Sequence, residues 1–348
     1  MGKFIRIGVD LAKNYFQVHA LASESSPAVK RKLTRSKMHR FFSQIEPSFI
    51  GMEACGSAHY WARKLKAMGH DVLLMPPCYI KPYVKRGKND AVDAEAIYEA
   101  MSRPGMRFVP IKSAAQQATL MLHKTHELLV KQRTMSVNAL RGHLAEFGVI
   151  AAKGISHVEE LVERAAAADL PAMVQATLGV LLAQLRSLDA ATDELERAIV
   201  ANHRRDPVSR LAASVPGVGA LAASAILASA PDPQAFKSGR DFAAWLGATP
   251  KQNSTGGKEK FGSITKQGNR YIRRLLVLGA ISVLRAAPKR KGALCDCWPR
   301  SEPANRPRSW PWRWPTSSPG SSGRSSPPAR PSAPPSTPRP DFNLGQRT

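Results

Sequence analysis

Near Pro110 the apolar residues change period, so one chain has to accommodate two kinds of architecture. Before that point they come in short runs. Phe4 to Leu11 and Phe16 to Leu21 are rich in β-branched and aromatic residues and are separated by the turn Ala12-Lys13-Asn14, which predicts a hairpin opening a mixed sheet. Val29 to Thr34 reads as a third, charged strand, Phe49 to Glu53 as a buried one, and Val72 to Met75 as another that Pro76-Pro77 stops. Helices are predicted at His59 to Met68, ended by Gly69, and at Asn89 to Met101. Strands alternating with helices indicate α/β packing.

Past Pro110 the rhythm is helical. Leu178, Leu181, Leu185, Leu188, Leu195 and Ile199 follow a three-four spacing with Thr192 as the polar member of the seam, a coiled-coil stripe of three heptads. Its partner is either the helical stretch Ala115 to Phe147, folding back as a hairpin, or the same segment of a second chain. Residues 206 to 285 read as a further compact unit. It contains Pro216-Gly217-Val218-Gly219 before the small-residue helix Ala220 to Ser229, a loop from Thr249 to Thr265, and a helix from Asn269 to Leu284. From Pro288 onward the chain holds 14 of its 27 prolines and four of its six tryptophans, with almost no apolar periodicity. Such a tail is expected to be disordered. The break comes in mid-helix, and Arg, Pro, Ser and Trp dominate as in a GC-rich gene translated out of frame, so a frameshift is expected near residues 287 to 297. The division expected is therefore 1–110, 111–205, 206–287 and the tail 288–348.

Charge narrows the function. Lys and Arg number 51 against 26 Asp and Glu, a formal charge of +25 that calls for a polyanionic partner, nucleic acid first. Between residues 249 and 291 there are eleven Lys and Arg to one acid, a density suited to a DNA or RNA backbone. Lys251, Lys258, Lys260, Lys266, Arg270, Arg273 and Arg274 belong to this stretch. The cysteines at 55, 78, 295 and 297 have neither a disulfide framework nor a zinc spacing, which fits a reducing cytoplasm. No run has signal-peptide or membrane-spanning character.

Four acids invite chemistry. Asp10 lies near the end of the first strand and Glu53 ends another, where a buried charge needs water, a cation or a partner. Asp90 and Asp93, three apart on a helix, project from one face. Together they suit a hard-cation site of the kind that cuts phosphodiesters with two Mg²⁺ ions. Helix capping and local salt bridges are the competing explanation. Pro216-Gly217-Val218-Gly219 resembles the turn of a helix-hairpin-helix, in which Gly217 and Gly219 let backbone N–H groups approach a phosphate, or else it is a plain inter-helix turn. Ser254, in a lysine-flanked loop with Gly256 and Gly257, either bonds its own backbone or attacks phosphorus.

In one order along the chain stand Gly8-Val9-Asp10, Glu53, Asp90-Ala91-Val92-Asp93, Pro216-Gly217-Val218-Gly219, Leu246-Gly247-Ala248-Thr249-Pro250, Asn253-Ser254-Thr255-Gly256-Gly257-Lys258 and Ile264-Thr265-Lys266-Gln267-Gly268-Asn269-Arg270. Over residues 4 to 286 this set resembles the bacterial insertion-sequence transposases of family 110, in particular the 1111 subgroup. The resemblance implies a RuvC-type, ribonuclease H-like α/β domain with Asp10, Glu53, Asp90 and Asp93 as metal ligands. It further implies a serine-bearing C-terminal domain whose nucleophile maps to Ser254, with Thr255 as its neighbour; the residue patterns themselves make the middle a helical coiled coil and the C-terminal domain mostly α. A family member is expected to recombine DNA by strand exchange with Mg²⁺, on element ends and target, guided by a structured RNA and acting as a dimer or tetramer. The tail beyond Pro288 departs from the apolar helices of the family. A Holliday-junction endonuclease using the acids alone, or a non-catalytic nucleic-acid-binding protein, are the other readings of the same residues.

Overall fold

Period-two patterning in the first 75 residues produces a five-stranded sheet in the computed structural model, which describes residues 4–23, 25–84, 90–230 and 236–286. Strands β1 (Arg6–Leu11) and β2 (Tyr15–Leu21) form the expected antiparallel hairpin, with Val9 opposite Val18. Strand β3 (Val29–Thr34) adds antiparallel to β2 and is followed by helix α1 (Arg35–Ser43). Strand β4 (Phe49–Glu53) pairs parallel to β1, helix α2 (Ala58–Ala67) follows, and β5 (Asp71–Met75) pairs parallel to β4. The order is β3-β2-β1-β4-β5, a mixed sheet. Helix α1 is not among the expected elements, because Met38 and Phe42 are a thin apolar clue beside Arg35, Lys37 and Arg40.

The two faces of the sheet differ. Ile7, Val9, Phe16, Val18 and Leu33 pack on one side against Met38, Phe42, Trp61 and Leu65 of α1 and α2. The other side presents Gly8 and Gly51, opposite each other in the β1–β4 register, and is covered after the short α3 (Pro77–Ile80) by α4 (Asp90–Ala100). Contact there is backbone to backbone. A Cβ on Gly8 would strike the carbonyl of Ala94 and stand 2.7 Å from the Tyr98 amide nitrogen. Ile97 and Ala100 complete the layer against Met75 and Ile80.

Beyond this domain the chain is mainly helical. Helix α5 (Ala114–Ala145) begins with a reciprocal capping box between Ser113 and Gln116, which satisfies two backbone donors of its first turn. Helix α6 (Val158–Ala167) lies at the far end, and α7 (Ala172–Arg205) returns. His126 pairs with Glu196 and Arg133 with Asp189, seven residues forward on one helix for seven back on the other, so the pair is antiparallel. The leucine seam is thereby resolved in favour of the hairpin. Leu178, Leu185, Leu188, Thr192 and Ile199 are buried within a single chain, Leu181 and Leu195 are half-buried, and the buried Thr192 hydroxyl donates to the Leu188 carbonyl. Leu140, Leu144, Leu161, Leu170 and Leu178 close the end that bears α6.

Helix α8 (Pro207–Ala212), capped by Asp206, leads through the glycine turn into α9 (Ala220–Ser229). Gly217 adopts φ +85° and lies backbone against backbone with Gly279, which gives this glycine a packing reason of its own. Helix α10 (Gly239–Trp245) follows, then β6 (Pro250–Gln252), β7 (Phe261–Ile264) and α11 (Arg270–Ala286), which starts under an Asn269 side-chain cap. The segment 249–265 is thus an antiparallel hairpin where a loop is expected from its glycines and hydroxyls. Its tip is a two-residue turn at Gly256 and Gly257, both at positive φ, closed by the Lys258 N–H donating to the Thr255 carbonyl. Asn89, Cys295, Cys297 and the proline-rich tail lie outside the described residues. Among those described, Cys55 and Cys78 are free thiols, and no helix is long and apolar enough to cross a membrane.

Gly8→Val should overpack the β1–α4 contact and destabilise the chain by about 1–3 kcal/mol. Chemical denaturation measures the loss, and an unchanged midpoint would mean that α4 does not depend on this approach.

Candidate active site

Strand register sets the first two acids side by side. Val9 pairs with Met52 in the parallel β1–β4 ladder, so the next residues, Asp10 and Glu53, end neighbouring strands on the same face as Gly8 and Gly51. Helix α4 crosses that face, and its first turn carries Asp90 and Asp93. Asp10, Asp90 and Asp93 each bring a carboxylate oxygen to within 4.8 Å of the others. Glu53 stands beside them, since its charge raises the Asp10 pKa and Asp93 raises that of Glu53.

This concentration of like charge is costly without a cation. Burial first, then Asp93, Asp90 and Glu53, push the Asp10 carboxyl up to about 6 from its ordinary 3.8. Glu53 is raised by burial and then by Asp93. Cys55, just after β4, has its thiol raised by burial and then by Glu53 and Asp10, so it stays protonated near the cluster. The donor set is all oxygen and all anionic, the chemistry that hard divalent cations such as Mg²⁺ select and that zinc or copper sites do not. Asp10, Asp90 and Asp93 fit a dication directly, with Glu53 placed to join.

Ser254 stands apart on the β6–β7 hairpin. It is exposed, and its hydroxyl accepts the Lys260 N–H at 3.2 Å while the Asn253 N–H donates to the Lys260 carbonyl at 2.8 Å. The backbone bond expected for this serine is therefore present, and it ties the hydroxyl across a hairpin on which Lys251, Lys258 and Lys260 are all exposed.

The basic residues nearby divide into two sets. Arg273 directs its guanidinium at the carbonyls of Leu246 (2.6 Å) and Gly268 (3.1 Å), tying α11 to the turn after α10. Arg274 pairs with Glu127 of α5 at 3.2 Å and lies over the Tyr271 ring. Arg270 and Lys266 are exposed. Gly219, the exposed N-cap of α9, has open space where a Cβ would stand, whereas Gly217 packs on Gly279.

A buried polar junction joins three segments that no sequence motif links. His123 of α5 lies 3.1 Å from both the Tyr271 hydroxyl of α11 and the Ser224 hydroxyl of α9. Burial and then His126 lower the His123 pKa to about 4, and burial and then Glu127 push Tyr271 up to about 12, so all three groups are neutral. His123 is one of three histidines on the 32-residue α5, and nothing in its local sequence signals two partners 101 and 148 residues away.

The fold and cluster together define a class: a RuvC-like carboxylate nuclease domain joined to a helical, basic C-terminal part. Residues 7–148 match the transposase family model DEDD_Tnp_IS110, and residues 209–294 match the Transposase IS116/IS110/IS902 family. Among relatives, y4pF/y4sB of Sinorhizobium fredii, named as a transposase, is 46% identical over 297 residues, covering 85% of this chain and 77% of its own. The "Probable family 20 transposase" of Pseudomonas aeruginosa is 46% identical, with 83% and 86% covered. The transposase for insertion sequence element IS1111A of Coxiella burnetii is 36% identical over 80% and 78%. The chain belongs to the IS110 family of insertion-sequence transposases, DNA-binding enzymes of recombination.

Two outcomes follow from the site. In the folded chain Asp10 holds its proton to higher pH than in the unfolded chain, so its stabilising contribution is complete below about pH 4 and is lost as pH rises through about 6. In EDTA, Asp10→Asn should therefore gain melting temperature over wild type between pH 4 and 7, and Mg²⁺ should restore wild type alone at pH 7. Parallel profiles would refute the cation site. Arg273→Ala should cost about 1.5–3 kcal/mol of stability. Lys258→Ala with Lys260→Ala and Arg270→Ala should leave the melting temperature in place and make the slope of log K for duplex DNA on log salt shallower by up to about 3. The reverse pattern would exchange the two roles.

Proposed function

We propose that this transposase cuts and rejoins DNA strands by combining the Asp10, Glu53, Asp90 and Asp93 cluster, holding two Mg²⁺ ions, with Ser254 as nucleophile, guided by a structured RNA encoded in the element. The convergence of Asp10, Asp90 and Asp93 oxygens within 4.8 Å carries this reading, because one strand-end acid and two acids of a helix's first turn, gathered in a basic protein, suit a cation and a phosphate. When bound, the ions supply positive charge to the attacking and leaving oxygens.

The chain's own residues do the rest. Ser254 Oγ, held by the Lys260 N–H on a hairpin that carries exposed lysines, attacks a backbone phosphorus. An O–P bond to serine forms, one P–O bond of the strand breaks, and the serine proton ends on the departing sugar oxygen. The phosphoserine link conserves the bond energy, so a second strand's hydroxyl can reverse the step and rejoin without an external energy source. Lys251, Lys258, Lys260, Lys266 and Arg270 hold the strand's phosphates, and Gly219 offers the helix N-terminus of α9.

Ser254 and the carboxylates belong to different parts of the chain, and a dimer or tetramer lets one chain's acids meet another's serine. Met121, Leu128 and Met135, seven apart and each more than half exposed on α5, support such self-association, since the inner seam is already occupied by α7. The free Cys55 and Cys78 suit the reducing cytoplasm in which the element's DNA resides.

Ser254→Ala should abolish both the covalent protein–DNA adduct and recombination, whereas Thr255→Ala should be milder. Denaturing gels with labelled element DNA, followed by peptide mapping of the link, measure this. A recombining Ser254→Ala protein, or cutting by wild type with no adduct, would replace the serine mechanism with hydrolysis by the acids alone.

A further inference from the structure

The sheet face that carries Asp10 continues beyond the cluster. Asp10 pairs in register with Gln17 on β2, and Gln17 pairs with Lys32 on β3, so the three residues form one row across three strands. Side chains in such a row share a face, and adjacent strands are about 4.8 Å apart, which puts Lys32 roughly 10 Å from Asp10. Tyr15, two residues before Gln17, is on the same face and is 46% exposed. The Lys32 ammonium lies over its ring, 4.5 Å from the centroid. Lys30, the neighbouring lysine of this face, is drawn instead to Glu95 of α4 at 3.3 Å, while Gln17 between the cluster and Lys32 is half-buried.

We propose that Tyr15 and Lys32 form a strand-positioning subsite for single-stranded DNA entering or leaving the carboxylate cluster, Tyr15 stacking an unpaired base and Lys32 taking the adjoining phosphate. An exposed aromatic ring with an ammonium held against it supplies both halves of single-strand recognition, a π face for a base and a cation for the backbone. A duplex cannot use the ring, because its bases are stacked on one another. The row Asp10–Gln17–Lys32 supplies the direction: a strand whose phosphate sits at the acids has a short, half-buried polar step to the next cation. That the strand is the enzyme's DNA rests on the acids being the cleaving centre. The subsite itself is tested without cleavage.

The full-length chain in EDTA is irradiated with a single-stranded DNA oligonucleotide of mixed sequence carrying 5-iodouracil, and the adducts are mapped by peptide mass. The expected result is a link at Tyr15, retained in Tyr15→Phe at position 15. Tyr15→Ala should weaken oligonucleotide binding about tenfold, and Lys32→Ala should lower the salt slope by about 0.7. In cleavage assays with metal, Tyr15→Ala should raise KM and leave kcat, as a positioning residue does. Adducts confined to other positions, or an unchanged KM in Tyr15→Ala, would overturn the subsite. The same oligonucleotide as RNA or as duplex linking more strongly to Tyr15 would overturn its assignment to single-stranded DNA. An Asp10→Asn chain must show the same Tyr15 link. If Asp10→Asn still cleaves, the cleaving centre is misplaced while the link persists, so the two failures are told apart.

Discussion

Everything at the acidic cluster depends on how closely the backbone of α4 approaches β1 at Gly8. Asp90 and Asp93 reach Asp10 only because position 8 has no Cβ to meet the Ala94 carbonyl and the Tyr98 amide. Gly51, its register partner on β4, gives the same face room for Met75, Ile97 and Met101. Two glycines under two acids are thus one device. The glycines lower the helix onto the sheet, and the acids one pleat further on meet the helix's first turn. The electrostatic result is a site whose acids repel one another, which raises the Asp10 pKa to about 6 and makes the site receptive to a cation.

The remainder of the chain is joined to itself by polar contacts as much as by apolar ones. The α5–α7 hairpin takes its register from leucines, yet its antiparallel sense is marked by His126–Glu196 and Arg133–Asp189. It is tied to the C-terminal part by the neutral His123, Ser224 and Tyr271 junction and by the Arg274–Glu127 pair. The basic density of the C-terminal part is consequently not all available to a nucleic acid. Arg273 serves carbonyls of its own chain, and the lysines of the β6–β7 hairpin carry the exposed charge.

The elements whose period matched their surroundings were legible from residues alone. Strand β4 and its terminal Glu53, the β1–β2 hairpin and the paired acids of α4 all follow local rules of alternation and spacing. Helix α1 and the β6–β7 hairpin were not, for opposite reasons. The first is a charged helix whose apolar face is only Met38 and Phe42 with Phe41 partly buried, and the second is a pair of short exposed strands with no apolar face at all. Thr255-Gly256-Gly257-Lys258 did contain a hairpin signal, since two successive glycines between short extended runs favour a two-residue turn.

By itself, then, the sequence determined what is local or additive: a mixed sheet followed by helices, a strong positive charge, two strand-end acids and two acids on one helix face, and the ordered motifs of a transposase family. Tertiary structure decided what depends on distance between remote segments. It brought Asp10 to Asp90 and Asp93, chose α5 over a second chain as the partner of the leucine seam, and divided the arginines between scaffold and surface. A period names the face that a residue occupies, whereas the partner of that face is set by which folded surface comes within contact distance. That choice turned here on the missing side chain of Gly8 and on the burial of Leu178, Leu185, Leu188 and Ile199 of α7, with charge pairs seven residues apart marking its antiparallel sense.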